Sequence, residues 1–287
     1  MRIALVLMML AGCGHQVTAE TTLLSSTVWT DDRPQFGGFS GLELSDDGKT
    51  FSELGDRSGY FVTASLTRID GLITAVSAPK TGRIRKPLKM GIPGWPDSEG
   101  LAIAADGTIY MSTEAPYHRL FRAEGGEELR AVPLPQHPDF ASLQSNSSLE
   151  ALAIGPDGAL YTIPERSGRM TRPFPVYRLQ GDTWDIPFHI PRRGNFLVVG
   201  ADIGPDQRFY VLERHFTGIG FQSRVRRFEM DGTGEETLIE TSNGTHDNLE
   251  GISVWRDAED HLRVTMISDD NFRFFQQTQI VEYQIDD

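Results

Sequence analysis

Acidic residues recur at equivalent places in a repeated strand–turn–strand pattern along this chain. They stand at the start of a first strand, as Glu99, Glu150 and Glu250, or near the end of its partner, as Asp56, Glu114, Glu165, Glu213, Asp269 and Asp270. An antiparallel hairpin brings the start of its first strand beside the end of its second. The sequence therefore predicts that these carboxylates gather at one end of the fold, which we call the mouth.

The chemistry predicted for the mouth is cation binding. Carboxylates that share a partly enclosed space repel one another unless they are protonated or neutralised. Oxygen donors, with Asn248 and Asn271 nearby, suit calcium or, less well, magnesium, and the sequence lacks the paired histidine spacing of a zinc site. The alternative is that single acids bind backbone N–H groups or pair with arginines between repeats.

Arginine follows the strand-end acid in three of the repeats, as Arg57, Arg166 and Arg214. One interpretation is a collar of guanidinium groups that holds an anionic substrate through bidentate contacts. The other is a ring of salt bridges between neighbouring repeats. Because consecutive strand residues point to opposite faces, an acid and its arginine share a cavity only where the chain turns.

Two histidines accompany these acids. His215 lies two residues after Glu213, and His246 lies two residues before Asn248. Either could act as a general base near neutral pH, and the alternative for each is a structural hydrogen bond. A serine nucleophile is not indicated, because the segment GFSGL around Ser40 lacks the second glycine of a nucleophile elbow.

The elements that position these residues repeat at regular spacing. Successive copies begin at Gly41, Gly100, Ala151, Ala201 and Gly251, so that they lie 59, 51, 50 and 50 residues apart. A period of this size in an all-β pattern predicts the blades of a β-propeller. We count five blades, with six as the alternative if residues 80–95 hold a further blade. We expect residues 23–29 to complete the last blade as an N-terminal strand that closes the ring.

Length and charge narrow the functions that this chain can serve. Its 287 residues suit one large all-β domain, which we place at residues 23–287. The formal net charge of −13, from 40 acidic and 27 basic residues, argues against nucleic acid as a partner, because phosphates require a basic surface. We expect a monomer that binds a small anionic or ester substrate.

The N-terminal residues predict a signal peptide. Arg2 precedes an apolar run that ends at Leu10 and is too short to span a bilayer. The segment LAGC that ends at Cys13 resembles the bacterial lipobox, which implies removal of residues 1–12 and lipidation of Cys13. A short tether, residues 13–22, would then join the lipid to the domain.

Two locations follow from this segment. Gly14 stands where an aspartate would mark retention in the inner membrane, so we expect the periplasmic side of the outer membrane, with the lipid as the only membrane contact. The alternative is cleavage after Ala19, at a site of small residues, which gives a soluble periplasmic or secreted protein. No cysteine remains in the domain, which excludes a disulfide and thiol catalysis there.

Four segments of the chain, in this order, resemble the phytase-like domain family, whose members are described by the esterase-like activity of phytase. They are FGGFSGL (36–42), DSEGLA (97–102), NLEGI (248–252) and ISDDNF (267–272). The resemblance extends from Phe36 to Ile285. It implies a secreted or envelope-attached β-propeller and, from the family description, hydrolysis of an ester or phosphoester.

A second resemblance concerns the metal ligands. Glutamate at a strand start, with aspartate and asparagine at a strand end, is similar to the pattern of the calcium-centred lactonase and gluconolactonase propellers. That similarity implies calcium ligands from Glu99, Glu150, Glu250, Asp269 and Asn271. A lactonase-like calcium propeller is therefore one alternative function.

The leading hypothesis is a metal-assisted hydrolase of the cell envelope that acts on an ester or phosphoester. Calcium at the mouth would polarise the ester oxygen or activate water. Arg57, Arg166 or Arg214 would stabilise the developing negative charge, and His215 or His246 would transfer protons. The rival is a non-catalytic propeller that binds a ligand or an envelope partner through its mouth or loops.

Overall fold

A computed structural model describes residues 19–56, 59–87, 97–114, 119–125, 128–145 and 147–286. Two predicted residues, Cys13 and Arg57, lie outside these ranges, as does the predicted signal peptide. No helix in the described part of the chain is long and apolar enough to cross a membrane.

Twenty β-strands and one short 3₁₀ helix, Pro138–Ser142, occur in the described ranges. The first ten strands are β1 (Glu20–Val28), β2 (Phe39–Leu44), β3 (Thr50–Gly55), β4 (Tyr60–Ile69), β5 (Leu72–Arg85), β6 (Ser98–Ile103), β7 (Ile109–Thr113), β8 (Arg119–Glu124), β9 (Leu129–Pro133) and β10 (Leu149–Ile154). The other ten are β11 (Leu160–Pro164), β12 (Phe174–Gln180), β13 (Thr183–Ile190), β14 (Leu197–Ile203), β15 (Phe209–Phe216), β16 (Phe221–Phe228), β17 (Glu236–Glu240), β18 (Leu249–Arg256), β19 (Leu262–Ser268) and β20 (Gln279–Asp286).

These strands form five four-stranded antiparallel blades, which confirms the predicted all-β propeller. The first four blades are β2–β5, β6–β9, β10–β13 and β14–β17, and the fifth combines β18, β19 and β20 with the N-terminal strand β1. The outer strands β5 and β9 also pair in parallel, at Ile84 with Leu129, so the first two blades share one sheet. Of the stretch on which a sixth blade depended, residues 80–85 belong to β5, and residues 88–96 lie outside the described ranges.

The first strands of the blades pack against one another around the central axis. Glycine at equivalent positions permits this approach: a Cβ on Gly41 would lie 2.5 Å from the Cβ of Leu101, and one on Gly100 would lie 2.6 Å from the Cβ of Leu152. The ring closes where a Cβ on Gly251 would lie 2.9 Å from that of Leu42. The axis retains a cavity of only about 10 Å³, about the space of one water molecule.

The N-terminal strand closes the last blade, as predicted, and it begins earlier than expected. β1 starts at Glu20, which pairs with Asp286 of β20, so the predicted tether overlaps the strand by three residues. Thr21 explains the extension, because its hydroxyl donates to the carbonyl of Leu238 at 3.0 Å. At the other end of β1, Trp29 stacks on Phe39 with ring centroids 5.3 Å apart.

The two ends of the propeller carry different connections. At the end opposite the mouth, tight turns join the first and second strands, with φ of +84° at Gly107 and +77° at Gly158. In the fourth blade Gln207 adopts φ +62° in place of a glycine, so that turn is kept as well. The mouth carries longer connections, such as those between β9 and β10 and between β19 and β20. Loops of this kind are where binding and catalytic groups are usually placed.

Candidate functional site

Three glutamates meet at the mouth between the second and third blades. Glu99 stands at the start of β6, Glu114 directly follows β7, and Glu150 stands at the start of β10. A carboxylate oxygen of each lies within 4.8 Å of one from each of the others. Glu114 and Glu150 are buried and Glu99 is partly buried. We call these three residues the carboxylate triad.

The triad is electrostatically strained in the absence of a cation. Burial, followed by the charge of Glu114, raises the pKa of Glu99 well above the ordinary value, opposed by a hydrogen bond with Glu150. Burial, followed by the charge of Glu99, raises the pKa of Glu150 in the same direction. Burial also raises the pKa of Glu114, opposed by hydrogen bonds from Glu150 and from the backbone N–H of Ser148, which lies 3.3 Å away. No described basic residue forms a salt bridge with any of the three, so protons or a bound cation must neutralise them.

Arg214 occupies the centre of a second group of acids at the mouth. Its Nη2 lies 3.1 Å from Oε1 of Glu165, and its Nη1 donates to Oδ1 of Asn248 at 2.7 Å and to Oε1 of Glu250. Burial lowers the pKa of Arg214, but the charges of Glu250 and Glu165 outweigh this and the net shift is upward. Arg214 is therefore a permanent cation that joins the third, fourth and fifth blades.

Glu250 and Asp269 complete this second group. Burial raises the pKa of Glu250, opposed by the charge of Arg214 and by the amide of Asn248, which donates to Oε1 at 2.9 Å. Burial, and then the charge of Glu250, raise the pKa of Asp269 well above its ordinary value. The charges of Glu150 and Asp269 both act on Arg214, so the two groups form one cluster of opposite and like charges.

The structure brings four of the five predicted metal ligands into this cluster, namely Glu99, Glu150, Glu250 and Asp269. Their contacts within it differ from those predicted. Glu114 lies with Glu99 and Glu150 in the triad. From the sequence it was predicted only as a strand-end acid, and the pairing of strands in a hairpin was sufficient to predict its position at the mouth. Glu250 is engaged by an arginine, as the alternative of salt bridges between blades predicts. The backbone N–H of Asn271 donates to Asp269 at 2.7 Å, and the side-chain amide at this point comes from Asn248.

The two histidines make their described contacts outside the cluster. Nδ1 of His215 lies 3.1 Å from Oε1 of Gln222, and its position next to Arg214 in β15 places it on the other face of the strand. His246 is buried with Nε2 2.7 Å from the hydroxyl of Tyr283, and burial lowers the pKa of its imidazole. Each histidine thus makes a hydrogen bond within the described residues, and its role in proton transfer stays a prediction.

Two further strand-end acids are structural. Glu213 is fully buried and accepts hydrogen bonds from Arg224 at 2.7 Å and from Arg226 at 2.6 Å. Asp270 accepts from the backbone N–H of Gly38 at 3.0 Å and so ties the loop after β19 to the first blade. These two acids therefore hold the structure of the mouth together, whereas the triad has no basic partner among the described residues.

A family model decides the relationship of this chain to known proteins. The model named Phytase-like, described as esterase-like activity of phytase, matches residues 34–272. The protein belongs to the Phytase-like family. This membership confirms the resemblance seen in the sequence and supports a hydrolase-type propeller. No curated protein sequence is similar enough to this Phytase-like chain to be matched.

Solved structures confirm the fold of this Phytase-like protein. It is similar to the PQQ-bound aldose sugar dehydrogenase of Streptomyces coelicolor, with 12% identity, a TM-score of 0.56 and coverage of 93% of this chain and 98% of that one. The catalytic domain of the Coprinopsis cinerea GH62 α-L-arabinofuranosidase has 9% identity, a TM-score of 0.55 and coverage of 93% and 97%. These two enzymes have different activities, so the shared fold does not specify the reaction.

A third similar structure is regucalcin from Agrobacterium tumefaciens, named as a calcium-binding protein. It has 10% identity, a TM-score of 0.49 and coverage of 89% of this chain and 93% of that one. This similarity does not show a calcium site in the Phytase-like chain, so any such site has to be argued from the carboxylates of the chain itself.

Proposed function

We propose that this protein is a metal-dependent hydrolase of esters or phosphoesters, with the carboxylate triad as its metal site. The observation that carries the proposal is the approach of three acids from two blades, with their oxygens within 4.8 Å and no described basic partner. The family description, esterase-like activity of phytase, supports the same class of reaction. Calcium is the proposed ion.

The triad fits a calcium ion. Calcium binds oxygen at about 2.4 Å, so two oxygens on one ion lie at most about 4.8 Å apart. The oxygens of Glu99, Glu114 and Glu150 satisfy that limit. Three carboxylates leave further coordination positions of calcium for water or for a substrate oxygen.

The residues around the triad would bind and orient the substrate. A divalent cation, when bound, supplies polarisation of the ester oxygen or activation of water. Arg166 donates through Nε to Oγ of Ser147 at 2.8 Å and to Oε2 of Glu165 at 3.3 Å, which fixes its guanidinium at the rim of the mouth. A guanidinium held in this way can stabilise negative charge that develops on the substrate. Glu165 also contacts Arg214, so one carboxylate orients both arginines.

The experiment is a hydrolysis assay on the mature protein with aryl esters, lactones, phosphate monoesters and phosphate diesters. We expect turnover of at least one class, loss of turnover after chelation, and recovery when calcium is added back. Glu150→Gln should abolish the calcium-dependent turnover, whereas Glu128→Gln, at an exposed residue paired with Arg85, should not. Turnover that survives both chelation and Glu150→Gln would refute the proposed metal site.

A second candidate, a non-catalytic binding propeller, is favoured by exposed apolar residues on two mouth loops. Ile219 and Phe274 are 91% and 101% exposed, and Phe216 and Phe275 are 58% and 63% exposed. Exposed apolar patches often mark interaction surfaces. Calcium binding without turnover of any substrate in the panel would favour this function over hydrolysis.

We also propose that the protein is held at the periplasmic side of the outer membrane through lipidated Cys13. Glu20, the first residue of β1, pairs with Asp286 at the end opposite the mouth. An anchor attached there would leave the mouth facing away from the membrane. Cys13→Ala should move the protein from the membrane fraction to the soluble fraction of fractionated cells. Retention of Cys13→Ala in the membrane would contradict the anchor.

A further inference from the structure

Three arginines of the third blade have no acidic partner among the described residues. Arg169 and Arg172 belong to the loop between β11 and β12, and Arg192 lies just after β13. No described acid forms a salt bridge or a hydrogen bond with these three side chains, although the chain has a net charge of −13. An excess of basic groups at one place in an acidic protein calls for an anionic partner.

Arg192 is prepared to bind such a partner. Its guanidinium carbon lies 5.3 Å from the centre of the Phe174 ring, which fixes the plane of the group. Its Nε is buried and has no hydrogen-bond partner. Its two terminal nitrogens make no described hydrogen bond and are not buried, so they can donate to a ligand oxygen. Arg192 thus combines a fixed orientation with an unused donor.

The positive charge of Arg166 acts on Arg192. Burial lowers the pKa of Arg192 and the charge of Arg166 lowers it further, opposed by the charges of Glu213 and Glu165. Nε of Arg166 is bonded to Ser147 and Glu165, and its guanidinium is about half exposed, so the two terminal nitrogens stay available. An anion between two guanidinium groups removes their repulsion and accepts hydrogen bonds from both.

A cavity of about 330 Å³ opens beside Arg166. Arg172, Ser142 and Tyr177 also line it, and the one acid in the lining, Asp139, accepts a hydrogen bond from the hydroxyl of Tyr177 at 3.1 Å. This volume is that of a small-molecule site.

The cavity is linked to the triad through two neighbouring serines. Oγ of Ser147 accepts from Arg166 at 2.8 Å, and the N–H of Ser148 donates to Glu114 of the triad at 3.3 Å. Two adjacent residues therefore connect Arg166 to the proposed metal site, and one substrate could contact both.

We propose that Arg166 and Arg192, with Arg172 at the edge of the cavity, form a subsite for an oxyanion group of the substrate, a phosphate or a carboxylate. This inference rests on the proposed function, because it assumes that the bond to be cleaved lies at the triad. It narrows the substrate from esters in general to anionic esters. A neutral ester would leave the repulsion between the guanidinium groups of Arg166 and Arg192 unrelieved.

The test is calorimetric titration of the full-length mature protein with inorganic phosphate and, separately, with acetate, in chelator and at low ionic strength. Without metal, binding reports the arginines alone. We expect phosphate or acetate to bind, and Arg166→Gln and Arg192→Gln each to weaken the binding at least about tenfold. Arg178→Gln removes the same charge from the same blade, where Arg178 is paired with Asp185, and should change the affinity less than about twofold.

The outcomes separate this inference from the proposed function. Binding of neither anion to the wild-type protein, or equal binding to Arg192→Gln, would overturn the subsite. Arg192→Lys keeps the charge and should recover part of the affinity, which guards against misfolding of the glutamine variant. Anion binding that depends on Arg192 without any metal-dependent hydrolysis would support the subsite and count against the hydrolase.

Discussion

Arg214 and Glu165 belong to different blades, yet Nη2 of Arg214 lies 3.1 Å from Oε1 of Glu165. The same guanidinium contacts Glu250 on the following blade. One side chain thus neutralises acids from both of its neighbours and holds three blades together at the mouth. Removing it would leave buried negative charges without a cation.

We therefore expect Arg214→Met to destabilise the protein by about 3–5 kcal/mol, the usual effect of breaking a buried ion pair. Chemical denaturation followed by circular dichroism measures this difference. Arg178→Met is the control, because its partner Asp185 is exposed and the pair should contribute less than about 1 kcal/mol. Equal unfolding midpoints for Arg214→Met and the wild type would show that Arg214 does not hold the blades together.

The carboxylate triad predicts how stability depends on pH when metal is removed. The pKa of Glu99 and of Glu150 is raised in the folded state from an ordinary value of 4.5, so their neutral forms favour folding. Their contribution is fully present below that value and is lost as the pH rises through the folded pKa. The unfolding temperature of the protein in chelator should therefore fall as the pH is raised from about 5 to about 8. Added calcium should remove most of that fall.

Glu150→Gln is the matched variant for this prediction. It removes one titrating group from the triad, so the chelated variant should lose less stability over the same pH range than the chelated wild type. It should also bind calcium at least about tenfold more weakly, because one charged ligand is missing. A chelated wild type whose unfolding temperature does not change with pH would contradict the predicted protonation of the triad.

Glu53 is a buried acid that the proposed function does not use. Its side chain is fully buried, and neither carboxylate oxygen has a hydrogen-bond partner. Burial, followed by the charge of Glu43, raises its pKa well above 4.5. The unfolded chain ionises this group at a lower pH than the folded one, so Glu53 reduces stability as the pH rises.

Glu53→Leu should accordingly stabilise the protein by about 1–3 kcal/mol at pH 8 and by less near pH 5. Urea unfolding at the two pH values measures the difference, and Glu128→Leu, at an exposed site, is the control for loss of a negative charge. A Glu53→Leu variant that is no more stable than the wild type at pH 8 would indicate that the buried carboxyl is satisfied.

The same substitution, glycine to alanine, should affect stability very differently at two positions, because only one of them lies in the inner ring of strands. In Gly41→Ala the new methyl group would lie 2.5 Å from the Cβ and 2.7 Å from the backbone nitrogen of Leu101. Crowding of this kind should destabilise the protein by about 1–3 kcal/mol. In Gly82→Ala the methyl group meets no atom within 4 Å, so that variant should be unchanged or slightly more stable. Equal thermal stability of the two variants would show that the first strands are not packed as described.

The repeat in the sequence was sufficient to predict much of the fold. Hairpins are local, so the strand pattern around Glu99 and Glu150 predicted both the blades and the gathering of acids at one end. The predicted start of β1 is three residues too late. Thr21 belongs to the strand because it contacts Leu238, a residue that is distant in the sequence. The turn at Gln207 was kept despite the missing glycine, because the flanking strands hold it.

By itself, the sequence determined the all-β repeat, the common mouth and the acids that face it, because each depends on strand pairing between residues close in the chain. Only the tertiary structure decided the partner of each acid. Glu114 joins Glu99 and Glu150, and Arg214 takes Glu250, through lateral packing of blades that lie about 50 residues apart in the sequence. Lateral packing sets the distances between charges, and these distances decide whether an acid is neutralised by an arginine or left for a cation.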